Sequence, residues 1–515
     1  MSKRILVVGG GTAGWLTAGY LARTLGAQSP GGIEITLVES AETGILGVGL
    51  GEGALPTIRR TLRCIGIDEA TLIREASATF KQGARFAHWR FEPGAGQPDH
   101  YLHSFQVPQE PSGLDLLPYW LLGAAGESEW SQVNTPQKIA ADAGCGPKLI
   151  THPDYVAPLN HAYHFDAAKL AGVLRNAATG LGVRHVVDTI DEVLLTEDGA
   201  IDAVRGRVSG AMTADLYVDC TGVRAKLIGQ ALKSPYKSCR SVLFCDSALA
   251  MQVPYERPDA PIASYTISTA QEAGWTGDIG LDSRRGVGHV FSSDHTDAET
   301  AERILRDYVG EAGEGLDVRH IKFEAGYRET SWVKNCVAIG LSSGFFEPLE
   351  ATGIVFAEAA AVMLATLFPW GGEMETAARQ YNALMRRRYE RALDFIKLHY
   401  CISERRDTAF WRDNVEASTI PDSLHELLDR WRFRPPDAID IDPNVDIFTE
   451  ASWRYVLYGM GYQTDLGPKA GAYRYFDEAR AAFADILRQA DHACQNLPTH
   501  RDLVELAQRR GFGEG

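Results

Sequence analysis

An apolar run, Arg4–Val8, ends in the glycine turn Gly9-x-Gly11-x-x-Gly14, and the turn opens into a helical pattern from about Thr12 to Leu25. Each glycine has its own task. Gly9 allows the tight turn, Gly11 lets the backbone approach a pyrophosphate, and Gly14 lets the helix pack on its strand. The amides at the helix start, Thr12 and Ala13 among them, would meet that pyrophosphate with the positive end of the helix dipole. A second strand, Ile33–Glu39, follows. Glu39 ends it 25 residues after Gly14, where a carboxylate can accept hydrogen bonds from ribose hydroxyls. Strand, turn, helix and acid occur together, which predicts a Rossmann-type dinucleotide site rather than a turn that serves packing alone.

Two later turns bear on which dinucleotide it is. Asp219-Cys220-Thr221-Gly222 and Ile339-Gly340-Leu341 each follow a short apolar strand far downstream. FAD-dependent monooxygenases return to their cofactor in this way, whereas an NAD dehydrogenase keeps its nucleotide in one block. That fold-level analogy favours FAD over NAD and adds Asp219, Gly222 and Gly340 to the cofactor contacts.

The expected fold class is therefore α/β, a Rossmann-type FAD-binding fold of the flavin monooxygenase kind. The glycine-rich stretch Gly44–Gly53 reads as an irregular loop. Helix Asp166–Thr179 and strands near 184–188, 192–196, 201–206 and 215–219 continue the nucleotide-binding part. Segments such as Ser241–Phe244, Ala263–Ile267 and Gly288–Phe291 suggest an inserted antiparallel sheet. Strand Cys336–Gly340 and the alanine-rich helix Gly353–Leu367 follow, and the C-terminal portion is mostly helical around a linker, Arg432–Pro443. The division this predicts is a discontinuous FAD-binding domain (1–91, 160–238, 334–370), with an excursion at 92–159 and a sheet insertion at 239–333 on the substrate side. A helical C-terminal substrate portion, 371–515, completes it.

A net charge of −16 repels phosphate backbones and anionic lipid, which argues against nucleic acid or membrane as the main partner. The first apolar run enters a glycine turn rather than a cleavage site, and no stretch of about 20 apolar residues occurs, so a cytoplasmic protein is expected. The eight cysteines show no CxxC or paired spacing. Reduced thiols are expected, with neither a disulfide framework nor a metal site.

At three places the chain resembles the flavin-dependent tryptophan halogenase family. One is Gly51-Glu52-Gly53-Ala54-Leu55-Pro56-Thr57 with Ala78-Thr79-Phe80-Lys81-Gln82-Gly83. Another is Ala338-Ile339-Gly340 through Gly344-Phe345-Phe346-Glu347-Pro348-Leu349-Glu350-Ala351-Thr352-Gly353, and a softer match covers Ala392–Trp411. The resemblance implies that Lys81 and Glu350 are catalytic, that Thr352 and Gly353 bind halide through backbone amides, and that Leu349 lies at the cofactor. It further implies pocket aromatics at His103 and Phe105, with Trp453, Tyr455 and Tyr458 as C-terminal candidates whose spacing equally suits core packing. The family's Trp-x-Trp-x-Ile-Pro motif, thought to wall the flavin off from the substrate, is altered here. Trp275 and Ile279 match it, while Gly277 and Gly280 replace the second tryptophan and the proline. Two such glycines would relax the segment.

The implied enzyme is a two-component flavoprotein oxidoreductase. It takes FADH2 from a separate NAD(P)H-dependent flavin reductase, forms hypohalous acid from oxygen and chloride or bromide, and halogenates an electron-rich arene. Tryptophan, other indoles and larger aromatics stand equally open, as does a homodimer. An FAD aromatic hydroxylase or epoxidase would fit the altered motif but gives no reason for the Lys81 and Glu350 segments. A catalytically silent flavin-binding protein is the third reading.

Overall fold

The computed structural model describes residues 3–41, 51–94 and 99–513, and the chain divides into two units. Most of the Gly44–Gly53 loop lies outside the described residues. The first unit gathers Met1–Ala78, Phe165–Arg240 and Phe323–Glu390. The second gathers Thr79–His164, Ser241–Lys322 and Arg391–Gly515.

The first unit is built on a six-stranded sheet in the order Trp332–Val333, Cys336–Ala338, Leu216–Asp219, Arg4–Val8, Glu34–Glu39, Arg184–Val187. Every neighbouring pair is parallel except the first. Val7, Leu37, Val218 and Val337 are fully buried, as strands covered on both faces require. Helix Thr12–Thr24 packs against helices Ala167–Gly180 and Thr352–Thr366. Asp166 starts the middle one by accepting from the N–H groups of Ala168 and Lys169. The last is apolar on nearly every side and is correspondingly buried. This is the Rossmann-type arrangement expected from the sequence.

The second unit holds a seven-stranded sheet in the order Arg319–Lys322, Ser247–Pro254, Arg284–Phe291, Gly274–Gly280, Thr266–Gln271, Gly83–Ala87, His100–Ser104. It differs from a self-contained antiparallel insertion in two respects. Gly83–Ala87 pairs in parallel with Thr266–Gln271, and His100–Ser104, expected to be part of an excursion, forms the edge strand. Ser241–Phe244 forms no strand; Ser247–Pro254 takes that place, its burial hiding the alternation that marks a half-exposed strand. The C-terminal portion is helical, with helices Asp422–Trp431, Glu450–Gly459, Phe476–Asn496 and His500–Arg510.

The short strand Thr79–Lys81 pairs antiparallel with Ala162–Phe165, placing Thr79 opposite His164 and Lys81 opposite Ala162. His500 props this strand from the C-terminal helix. Its Nε2 accepts the Phe80 N–H at 2.9 Å, and its Nδ1, 3.0 Å from the Ile262 carbonyl oxygen, donates there. Burial lowers its pKa from 6.5 to about 4, and a proton on Nε2 would also cost the Phe80 N–H its acceptor. The folded state therefore gains stability from this neutral imidazole above pH 6.5 and loses it as pH falls toward 4. Denaturant unfolding at stepped pH should show a loss of up to about 1.4 kcal/mol per pH unit from this group across that window. His500→Gln should flatten the slope; an unchanged slope would mean that His500 is not the group being titrated.

Candidate active site

Three backbone turns of the first unit converge on the start of helix Thr12–Thr24. The Gly9 N–H donates to Val38 O and the Cys220 N–H to Val8 O, both at 2.8 Å. A Cβ on Gly9, where φ is +118°, would lie 2.1 Å from the Cys220 carbonyl oxygen, and one on Gly14 would lie 1.9 Å from the Gly9 carbonyl oxygen. The third turn joins through the Ile339 N–H, which donates to Asp219 O at 3.0 Å. A Cβ on Gly340 would stand 2.8 Å from the Ala13 Cβ. By contrast, a Cβ on Gly11 or Gly222 would meet nothing within 4 Å. The result is an open cradle at an N-terminus that has no side-chain cap. These features fit a dinucleotide pyrophosphate.

Glu39 folds over Gly10, with Oε1 2.7 Å from His185 Nε2 and Oε2 accepting the Trp15 Nε1–H at 3.4 Å. Asp219 organises the second turn. Its carboxylate accepts from the Thr221 N–H and hydroxyl and from the N–H groups of Leu227 and Ile228. It shapes the turn, and Gly222 leaves the room.

Pro348–Glu350 forms a single 3-10 turn, and left-handed Ala351 (φ 56°) then starts helix Thr352–Thr366. Leu349 and Glu350 are buried. Ala351 occupies the cap position and has no side chain to cap with, so Thr352 is the first helical residue and not its cap. The buried Thr352 hydroxyl has no hydrogen-bond partner, and a Cβ on Gly353 would meet nothing within 4 Å. Uncapped amides, a spare hydroxyl and open space suit a small anion. Two turns along the helix, Glu358 accepts from the hydroxyls of Thr57 and Thr61 at 2.9 and 2.6 Å, and burial raises its pKa to about 7. Thr57 closes the Gly51–Thr57 segment, so that segment is tied directly to the helix following Glu350.

In the second unit Lys81 is 2% exposed, with Nζ 5.3 Å from the centre of the Phe105 ring. His103 stands 6.4 Å from Phe105, 6.1 Å from Tyr455 and 5.8 Å from Phe395, measured between ring centres. Burial first, then the Lys81 charge, pushes the pKa of His164 well down, so a neutral imidazole lies beside the lysine. The structure thus brings together Lys81, His103, Phe105 and Tyr455. Trp453 instead packs between Phe395 and Trp431, and Tyr458 engages Trp120 and Thr464, both as core side chains.

A buried amide network unrecognised in the sequence holds this group. Gln137 Oε1 accepts from the Ser104 hydroxyl (2.6 Å) and the Gln106 N–H (2.7 Å), and its Nε2 donates to Asn160 O and, at 3.4 Å, to Gln82 Oε1. Asn160 Nδ2 donates to Phe105 O at 2.6 Å, and the Phe105 N–H donates to Gln82 O at 3.0 Å. The Tyr455 hydroxyl donates to Gln106 O at 2.8 Å. The one available signal was Gln82 beside Lys81; Gln137 and Asn160 are distant in sequence and carry no local mark.

The altered tryptophan motif forms strand Gly274–Gly280, paired along both edges. This corrects the expectation of a relaxed segment. A Cβ on Gly280 would sit 2.9 Å from Ile262 Cγ2, so that glycine permits close packing. A Cβ on Gly277 would sit 3.0 Å from Trp275 Cζ3. The Trp275 indole leans along the strand and covers Gly277 itself. Ile279 is half-buried on the same face.

Among the described residues, no helix is long and apolar enough to cross a membrane. The tryptophan halogenase family profile matches residues 4–472. The tryptophan 6-halogenase SttH of Streptomyces toxytricini is 35% identical over 479 residues, 89% of each chain. The structure of a tryptophan halogenase from Shewanella frigidimarina is 40% identical, covers 99% of this chain and 98% of its own, and superposes with a TM-score of 0.95. Tar14, a tryptophan C-6 flavin-dependent halogenase from taromycin biosynthesis, is 38% identical with a TM-score of 0.91, covering 99% of this chain and 100% of that one. The glycine turns, the Lys81 and Glu350 segments and this end-to-end similarity lead to one assignment: the chain belongs to the tryptophan halogenase family of flavin-dependent enzymes.

Proposed function

We propose that this protein is an FADH2- and O2-dependent halogenase acting on an electron-rich aromatic, tryptophan or another indole. The observation that carries the reading is a buried Lys81 over the Phe105 ring, with His103 and Tyr455 alongside. Reduced FAD, when bound, supplies hypohalous acid from oxygen and chloride or bromide. Gly9, Gly11, Thr12, Ala13, Gly14, Gly222, Gly340 and Leu349 would hold it through backbone, and Glu39 through its carboxylate. We assign its binding to those parts of the segments 1–91, 160–238 and 334–370 that lie in the first unit, with substrate contacts from Lys81 and the rest of the second unit. The amides of Thr352 and Gly353 would hold the halide.

Lys81 hydrogen-bonds the oxygen of hypohalous acid and polarises it toward the ring. Flat faces such as Phe105 and His103 orient the arene at small entropic cost. Glu350 accepts the proton that the ring loses after halogen adds. Trp275, Gly277 and Ile279 separate oxidant formation from the arene, Trp275 supplying the bulk that Gly277 lacks. A separate NAD(P)H-dependent reductase delivers FADH2, and the setting is the cytoplasm.

Lys81→Ala should abolish halogenation while FADH2 oxidation continues. Product chromatography beside oxygen uptake checks this; retention of more than about a hundredth of the rate would remove Lys81 from the transfer step. Glu350→Gln keeps shape and hydrogen bonding but cannot take the proton. It should bind FAD normally and lose roughly 100-fold or more in turnover, and an undiminished kcat would exclude Glu350 as the base.

A further inference from the structure

All eight cysteines are free thiols, and two of them meet in the second unit. Cys145 follows helix Gln137–Asp142 and is buried; Cys494 lies near the end of helix Phe476–Asn496 and is partly exposed. Cys494 Sγ donates to the Ile139 carbonyl oxygen at 3.9 Å, on the same small core that buries Cys145. Ala493, Cys494 and Leu497 pack on Ala140, Cys145 and Leu159. The main chain fixes the approach from both sides. The Gly146 N–H donates to Pro498 O at 2.9 Å, the His500 N–H donates to Gly144 O at 2.8 Å, and Cys145 forms a bridge with Thr499. Two backbone segments laced together in this way keep the stretches that carry the two thiols side by side.

We propose that Cys145 and Cys494 form a reversible oxidation site that hydrogen peroxide closes to a disulfide. Cys494, the more exposed residue of the two, reacts first. Its thiolate attacks one peroxide oxygen, the O–O bond breaks, and Cys494 becomes a sulfenic acid as hydroxide leaves. The Cys145 sulfur then attacks the Cys494 sulfur, the S–O bond breaks, and the departing oxygen takes the Cys145 proton and leaves as water. The hydroxide recovers the proton that Cys494 had given up. Two thiols lose two electrons and two protons, and one peroxide becomes two waters. Burial first, and then Cys494, raises the Cys145 pKa, which disfavours its thiolate and leaves the first attack to the more exposed Cys494.

The position gives the crosslink a consequence. The Cys145 carbonyl accepts the Gln82 Nε2–H at 2.8 Å, and Gln82 follows Lys81 in the chain. Oxidation would tie the segment anchoring Gln82 to the C-terminal helix. The peroxide would come from uncoupled reaction of reduced flavin with oxygen. That source rests on the function proposed above; the thiol pair itself does not.

The test treats the full-length protein with a few equivalents of hydrogen peroxide, then measures intact mass and alkylates in denaturant without reductant. The expected result is a loss of ~2 Da that dithiothreitol reverses. Two of the eight thiols should then resist alkylation, with one peptide linking Cys145 to Cys494. Cys494→Ser should abolish the crosslink and leave Cys145 a thiol, while Cys64→Ser should leave it intact. Over-oxidation of Cys494 without a linked peptide, or linkage through any other cysteine, would overturn the proposal. The wild-type peptide map decides this even if a variant folds poorly. A second arm supplies reductase, NADH and FAD without arene. Crosslinking that catalase prevents supports the flavin source; crosslinking by added peroxide alone upholds the site and counts against the functional reading.

Discussion

A Cβ on Gly14 would sit 1.9 Å from the carbonyl oxygen of Gly9, and one on Gly9 2.1 Å from that of Cys220. Those two approaches set the position of the first helix on its sheet. The helix packs against Ala167–Gly180 and Thr352–Thr366, so the placing of the helix that follows Glu350 depends on backbone meeting backbone there. An added methyl at either glycine would displace main chain rather than a yielding side chain. The same closeness leaves Gly11 and Gly222 facing open space, which is how a turn devoted to packing also becomes a cradle.

In the second unit the governing constraint is a buried lysine. A desolvated ammonium is costly unless its surroundings compensate, and Lys81 has a ring face at Phe105 and an imidazole held neutral at His164. The strand bearing Lys81 is pinned by His500, and the segment bearing His103 and Phe105 is pinned by Gln137 and Asn160. Held against aromatic faces, Lys81 is suited to the transfer role proposed above.

The sequence carried the first unit well because its devices are local. A glycine spacing, a short apolar strand and an acidic strand end are written within a few tens of residues. The pairing of Gly83–Ala87 with Thr266–Gln271 was invisible, since the partners are far apart in the chain and parallel pairing leaves no turn to read. The same holds for Gln137 and Asn160, whose amides pair only after the chain has folded. Trp453, Tyr455 and Tyr458 share a helix, but their spacing could not reveal that only Tyr455 touches His103 directly. Gly277 read as a missing tryptophan, whereas Trp275 turns along the strand and fills the space. Lys81 and Glu350 were legible through their segments' resemblance to one family, and no periodicity would have marked them.

The central claim is that the oxidant made at the flavin reaches the arene as halogen and not as oxygen. Mass spectrometry of products from a panel of indoles tests it most directly, using purified protein, reductase, NADH and FAD in chloride, in bromide and in halide-free buffer. The account predicts chlorinated product in the first, brominated product with its paired isotope peaks in the second, and neither in the third. Product carrying one added oxygen in all three, independent of halide, would contradict it.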